Sequence, residues 1–305
     1  MESIKQPNLL IVILGPTASG KTALAIDVAQ YYGAEIISCD ARQFYREMNI
    51  GTAKPSSDEL QAVAHHFINN QSIFQDYSVG DFETEVLAFL EDYYQRKKVA
   101  VMVGGSGLFA RIVCEGVDRY PDIPEQIRTD LKALFEEKGI EALQAELKIS
   151  DPEYYARVDL QNPHRLIRAL EVCRATGKAF SSFQGQPKAQ RPFKAIKIAI
   201  DWEREALYKR INQRVLNMMA EGLEQEAKSL YPERQLNALQ TVGYRELFDY
   251  FDGNASLEDA IAMIQQNTRR YAKRQLTWLR KEANLNWVSA GMPATKVIEL
   301  IESLK

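Results

Sequence analysis

Leu9–Leu14 is an unbroken apolar run that ends at Gly15. Such a run predicts a strand buried on both faces, as the strands of parallel sheets are. Thr22–Tyr31 follows with Ala23, Ile26 and Ala29 at helical spacing, and Glu35–Ser38 reads as a second short strand. Ser38–Pro55 is polar and aperiodic, the kind of long connection that carries function in compact domains. Asp81–Arg96 sets Phe82, Val86, Phe89, Leu90 and Tyr93 on one helical face. Val99–Val103 is another buried-type strand, closed by the glycine-rich turn Gly104–Gly107. Strands alternating with helices predict an α/β fold, a parallel sheet core flanked by helices.

The periodicity changes after about Glu115. From Ile123 to Thr176 it is helical throughout, with Gly139 and Gly177 as stops and Asp151-Pro152 as a start. Ser181–Pro192 is rich in Gly, Pro and Gln and reads as a linker, and Lys194–Ile200 returns to strand alternation. The expected organisation is a core of 1–115 and 193–305 with a helical insertion domain at 116–192. The C-terminal third reads as helices: Arg204–Ala220, Gly222–Tyr231, Val242–Phe251 and Ser256–Ala283. Along the last, Ile264, Tyr271 and Trp278 recur every seven residues and are expected in the core.

Composition is that of a globular protein: 46% hydrophobic and 26% charged over 305 residues, with a net charge of -3. Nucleic-acid binding therefore has to come from a local patch. No apolar run reaches the ~18–20 residues that span a bilayer, and the first residues lack a signal-peptide layout. A cytoplasmic protein without membrane contact is expected, as a monomer. Cys39, Cys114 and Cys173 show no metal or disulfide spacing and read as inert thiols, and His65–His66 makes no metal motif.

Gly15-Pro16-Thr17-Ala18-Ser19-Gly20-Lys21-Thr22 fits GxxxxGK[ST], and it has a strand before it and a helix after it. Loop amides and the helix N-terminus face an anion, Lys21 adds a full charge, and the Thr22 hydroxyl suits a magnesium ion. The core is thus expected to be P-loop NTPase-like. Nucleotide hydrolysis also needs a carboxylate to orient the metal, yet Val99–Val103 ends in VGGSG. Asp40, after the second strand, is the candidate. It would either organise a metal or act as a general base.

GPTASGKT, SCDARQFYREMNIGTAKP and VGGSGLF, then NPHRLIRALEV, INQRVLNMMAEGLEQEA, LQTVGYRE and RRYAKRQLTWLR, resemble the tRNA dimethylallyltransferases in order and over nearly the whole chain. The resemblance implies transfer of a dimethylallyl group from dimethylallyl diphosphate to N6 of the adenosine 3′ of the anticodon, in tRNAs reading U-starting codons. Gly15–Thr22 would then hold the diphosphate leaving group with Mg2+ at Thr22, joined by Arg214. Asp40 would accept the N6 proton, and Thr17 would orient the same centre. The tRNA contacts implied are Asp40, Ala41, Arg42 and Gln43, then Ser106 and Arg128. They continue with His164, Arg165, Leu166, Ile167 and Arg168, and with Gln240, Thr241, Val242, Gly243, Tyr244 and Arg245. The insertion would bind the anticodon stem-loop. Arg269, Arg270, Lys273, Arg274, Arg280 and Lys281 add cations suited to phosphates. Ala41 replaces the family's usual serine, and Ser106 its threonine. Two other readings stand beside this one: a P-loop kinase using Asp40 on a hydroxyl, and a prenyltransferase acting on free adenine nucleotides.

Overall fold

The computed structural model describes residues 7–185 and 189–305. Residues 1–6, and residues 186–188 within the expected linker, lie outside them. Six strands, β1 (Asn8–Leu14), β2 (Ile36–Ser38), β3 (His65–His66), β4 (Val99–Gly104), β5 (Phe193–Asp201) and β6 (Leu285–Ser289), form one sheet. Every pairing is parallel, in the order β3-β2-β4-β1-β5-β6. The alternation in β1 divides the core. Leu9, Ile11 and Ile13 pack with the helices Lys21–Tyr32 and Ala294–Leu304. Leu10, Val12 and Leu14 pack with Val79–Arg96 and Gly107–Glu115 on the other face. Each such side chain, taken fully from water, contributes about 1.5–3 kcal/mol.

The all-helical reading of the C-terminal third is corrected by β6, whose burial pattern is irregular. Of its five residues only Val288 is fully buried, so alternation gives little signal. β3, at two residues, exists through its pairing with Ile36 and Ile37. His66 Nε2 lies 2.7 Å from Glu35 Oε2, and His65 Nδ1 2.8 Å from the Val63 carbonyl, so the pair serves the sheet edge. Gly139 stops a helix as expected: its backbone is non-helical (φ 75°, ψ −173°), and Glu125–Ser150 is two helices that meet at this kink.

One carboxylate ties the polar stretch after β2 to the helices of the C-terminal third. Glu226 accepts from the amides of Asn49, Ile50 and Gly51 at 2.8–3.0 Å and from the Tyr244 hydroxyl at 2.7 Å. Tyr45, Met48 and Ile73 then join a helical core of Val215, Leu223, Tyr244, Leu247 and Ile264. A separate unit, Gly116–Ala189, carries its own core around Leu131, Leu143, Leu147, Leu166 and Leu170. Gln190–Pro192, expected with the insertion, group with the sheet unit.

Of the seven-residue repeat, Ile264 is buried in the core as expected, whereas Trp278 is half-buried, packed against the core with its other side on a groove, and lies directly on Gly107. A Cβ there would stand 1.7 Å from the indole. Gly107→Ala is expected to cost about 1–3 kcal/mol by overpacking, read as a lower urea midpoint. An unchanged midpoint would contradict this packing. No helix among the described residues is long and apolar enough to cross a membrane.

Candidate active site

The chain turns from β1 into the Lys21–Tyr32 helix through Gly15–Gly20, at the carboxyl edge of the sheet, where open parallel sheets bind ligands. A Cβ on Gly15 would stand 2.6 Å from Ser19 Oγ and would force that hydroxyl to turn aside. Ala18 sits in the left-handed region (φ 63°), a costly place for a residue with a Cβ. Packing against Leu207, Ile211 and Ala272 holds it there, and Arg210 Nε donates to its carbonyl at 3.0 Å. Trp202 Nε1 donates to the Ser19 carbonyl at 3.0 Å, and Gln275 Oε1 accepts from the Thr17 amide at 2.9 Å. The loop is therefore braced from outside by three side chains far along the chain. None of the three is pointed to by the loop motif itself.

Asp40 follows β2 at the same edge. Gly104 lets it come close, because a Cβ on Gly104 would stand 2.5 Å from Cys39 Sγ. The Arg42 amide donates to Asp40 Oδ1 at 3.0 Å, fixing the carboxylate. Burial lowers the Lys21 pKa to about 8; Asp40 opposes that fall and Arg214 adds to it. Burial also lowers the Arg214 pKa, again against Asp40. One carboxylate and two cations thus share a single electrostatic neighbourhood over the loop. Among the described residues the Thr17 and Thr22 hydroxyls take no partner, which leaves both for a ligand.

Tyr271 corrects an expectation. It is 38% exposed rather than in the core. Burial of its hydroxyl and the Asp40 charge raise its pKa to about 12, against Arg42, Arg274 and Gln275. Its hydroxyl is near enough to Asp40 to feel that charge. The seven-residue spacing could not reveal this, since a site wall and a core position recur alike on a helix.

The residues expected to touch tRNA divide by exposure. Leu166 and Tyr244 are fully buried and hold their segments from inside. Val242 packs against the same core as Tyr244. Gln43 is committed within its own loop, to Ser38 Oγ and to the Thr52 and Ala53 carbonyls. Ala41, Arg42, Ser106, Ile167, Arg168 and Thr241 are half-buried, while Arg128, His164, Arg165, Gln240 and Arg245 are exposed, and Gly243 is buried. Arg245 and Gln240 line a cavity of about 530 Å³ with Arg234, Asp249 and Asn267. Within the helical unit, Arg128 and Arg168 converge on Glu171, itself 2% exposed, at 2.6 and 3.2 Å. Burial would raise the Glu171 pKa, but these two arginines hold it below the usual range.

Of the basic helix, Arg269 is tied to Asn212 at 2.6 Å. Arg270, Lys273, Arg274 and Lys281 line a groove with Thr277 and Trp278. Burial raises the thiol pKa at Cys39, Cys114 and Cys173, which fits inert thiols. Among the described residues no cluster of three or more His, Cys, Asp or Glu could hold a metal. A magnesium ion at Thr22 would take its other ligands from phosphate and water, the usual manner of that ion. The free hydroxyl on the first turn of the loop helix fits it.

A braced glycine loop beside a carboxylate, at the carboxyl edge of a parallel sheet flanked by helices, defines a protein of P-loop-like fold. The comparisons narrow the class. The family model described as IPP transferase matches residues 43–282, and the chain belongs to that family. It is 53% identical to a tRNA dimethylallyltransferase of Christiangramia forsetii, over 97% of this chain and 98% of the relative. Among solved structures it resembles the full-length tRNA isopentenylpyrophosphate transferase of Bacillus halodurans, with TM-score 0.72, 37% identity, and 97% and 95% of the two chains covered. It also resembles a eukaryotic dimethylallyltransferase acting on tRNA, with TM-score 0.84, 25% identity, and 97% and 79% covered.

Proposed function

We infer that this chain transfers a dimethylallyl group from dimethylallyl diphosphate to N6 of an adenosine beside the tRNA anticodon, releasing diphosphate. The observation that carries the reading is Asp40 placed over the phosphate loop, close enough to act on Lys21 and Arg214. A carboxylate in that place serves an acceptor that must lose a proton, while the loop serves a group that leaves with negative charge.

The N6 lone pair is delocalised into adenine and is a weak nucleophile. As it attacks the allylic carbon, the carbon–oxygen bond breaks and its electrons go to diphosphate. Asp40 takes the proton that N6 sheds, which requires contact at about 3 Å. Lys21, Arg214 and the loop amides stabilise the charge as it develops. The Thr17 hydroxyl orients the reacting centre from the loop. The Thr22 hydroxyl would hold Mg2+, whose chemistry is to neutralise diphosphate charge. The target adenine must leave its stack to reach Asp40. His164, Arg165, Arg168 and Arg128 of the helical unit, with Gln240 and Arg245 of the sheet unit, supply phosphate and base-edge contacts to the anticodon stem-loop. The protein works in the cytoplasm as a monomer.

Offered ATP or dimethylallyl diphosphate, each with an anticodon stem-loop or with AMP, the protein should use only the prenyl donor and only the RNA. Phosphoryl transfer from ATP would support the kinase reading instead. Prenylation of AMP at a comparable rate would support a free-nucleotide enzyme.

A further inference from the structure

The phosphate loop and the end of β4 are tied together by one side chain. Gln275, on the helix Leu257–Leu279, is 8% exposed and lies 258 residues beyond the loop it grips. Its Oε1 accepts from the Thr17 amide at 2.9 Å, and its Nε2 donates to the Gly105 carbonyl at 2.8 Å. The two partners demand opposite roles, which a primary amide meets at every pH, and its orientation is fixed. Gly105 is shaped to this amide, because a Cβ there would stand 2.4 Å from Nε2. Pro16, just before the bonded amide, has its φ set by its ring. With one side restrained by the ring and the other by Gln275, the Thr17 backbone is held in one place, which sets the point from which its hydroxyl projects.

We propose that Gln275 is a positioning residue for group transfer: its amide clamps the Thr17 peptide to the end of β4 and so aims the Thr17 hydroxyl at the reacting centre. This rests on the prenyl-transfer reading. The clamp touches neither substrate. Its loss should therefore lower turnover through misplacement and leave the KM for tRNA unchanged. A displacement of one ångström can cost about a hundredfold.

Three variants test it, with steady-state kinetics on folded protein. Gln275→Met removes both bonds, together with the hydrogen bond to Tyr271, and should lower kcat roughly a hundredfold at every pH. Gln275→Glu keeps the acceptor for Thr17 but turns a carboxylate on the Gly105 carbonyl. Its kcat, as a ratio to the parent, should rise as pH falls, because a protonated Glu regains the donor. Gly105→Ala should give the same kcat-selective loss by displacing the amide. Hydrogen exchange on the parent should find the Thr17 amide protected, a readout that holds even if the variants do not fold. Parental kcat in folded variants would overturn the proposal, as would a pH-independent ratio for Gln275→Glu or rapid exchange at Thr17. If the parent itself transfers no prenyl group, it is the underlying reading that fails.

Discussion

Asp40→Asn is expected to slow prenyl transfer by roughly 100- to 10,000-fold, the span that a positioned general base contributes, while tRNA still binds. Asparagine keeps an oxygen for the Arg42 amide, which now bonds Asp40 Oδ1 at 3.0 Å. The loop after β2 should therefore retain its shape. What is lost is the proton acceptor and one negative charge. That charge now opposes the fall in the Lys21 pKa, so in the variant Lys21 should titrate lower still. Donor binding is best compared well below pH 8, where Lys21 is charged in the parent. Single-turnover transfer together with tRNA binding checks the prediction. Parental turnover would remove Asp40 from the chemistry, and lost tRNA binding would make it a recognition residue.

Lys21→Met is expected to reduce kcat by about 100- to 1,000-fold, the loss seen when a preorganised charge stabiliser is removed. The parent should show a related pH limb. Burial holds the Lys21 pKa near 8 in the free protein. Below that value the ammonium is present and the diphosphate finds its counter-charge. Above it the amine is neutral, so kcat/KM for the donor should fall as pH rises through about 8. Lys21→Arg should abolish this limb, since a guanidinium stays charged throughout the range. A limb that persists in the arginine variant would assign it to another group.

The sheet and its phosphate loop were legible in the sequence for a physical reason. Strands buried on both faces, such as Leu9–Leu14, leave continuous apolar runs, and the loop needs glycine and lysine at fixed offsets. β3 and β6 were not legible because each owes its existence to pairing with a neighbour rather than to its own alternation. Within the site, Lys21, Thr22 and Asp40 declared themselves through local chemistry. Trp202, Arg210 and Gln275 did not, since each acts on a backbone carbonyl or amide about 180 to 260 residues away. One sign was available: Gln275 is a polar residue amid the buried positions Ala272 and Leu279 of its helix. Tyr271 had no such sign, since only the tertiary structure brings its hydroxyl within reach of the Asp40 charge. Exposure also sorted the expected RNA contacts in a way that spacing could not, placing Leu166 and Tyr244 inside.

The reading stands or falls on what the phosphate loop releases. Unmodified tRNA, dimethylallyl diphosphate and magnesium should be incubated with the protein, and the tRNA nucleosides then resolved by mass. The prediction is a single adenosine carrying one dimethylallyl group on N6, with diphosphate released in equal amount. Unmodified nucleosides from an active, folded preparation, or a phosphorylated product formed from ATP, would contradict it.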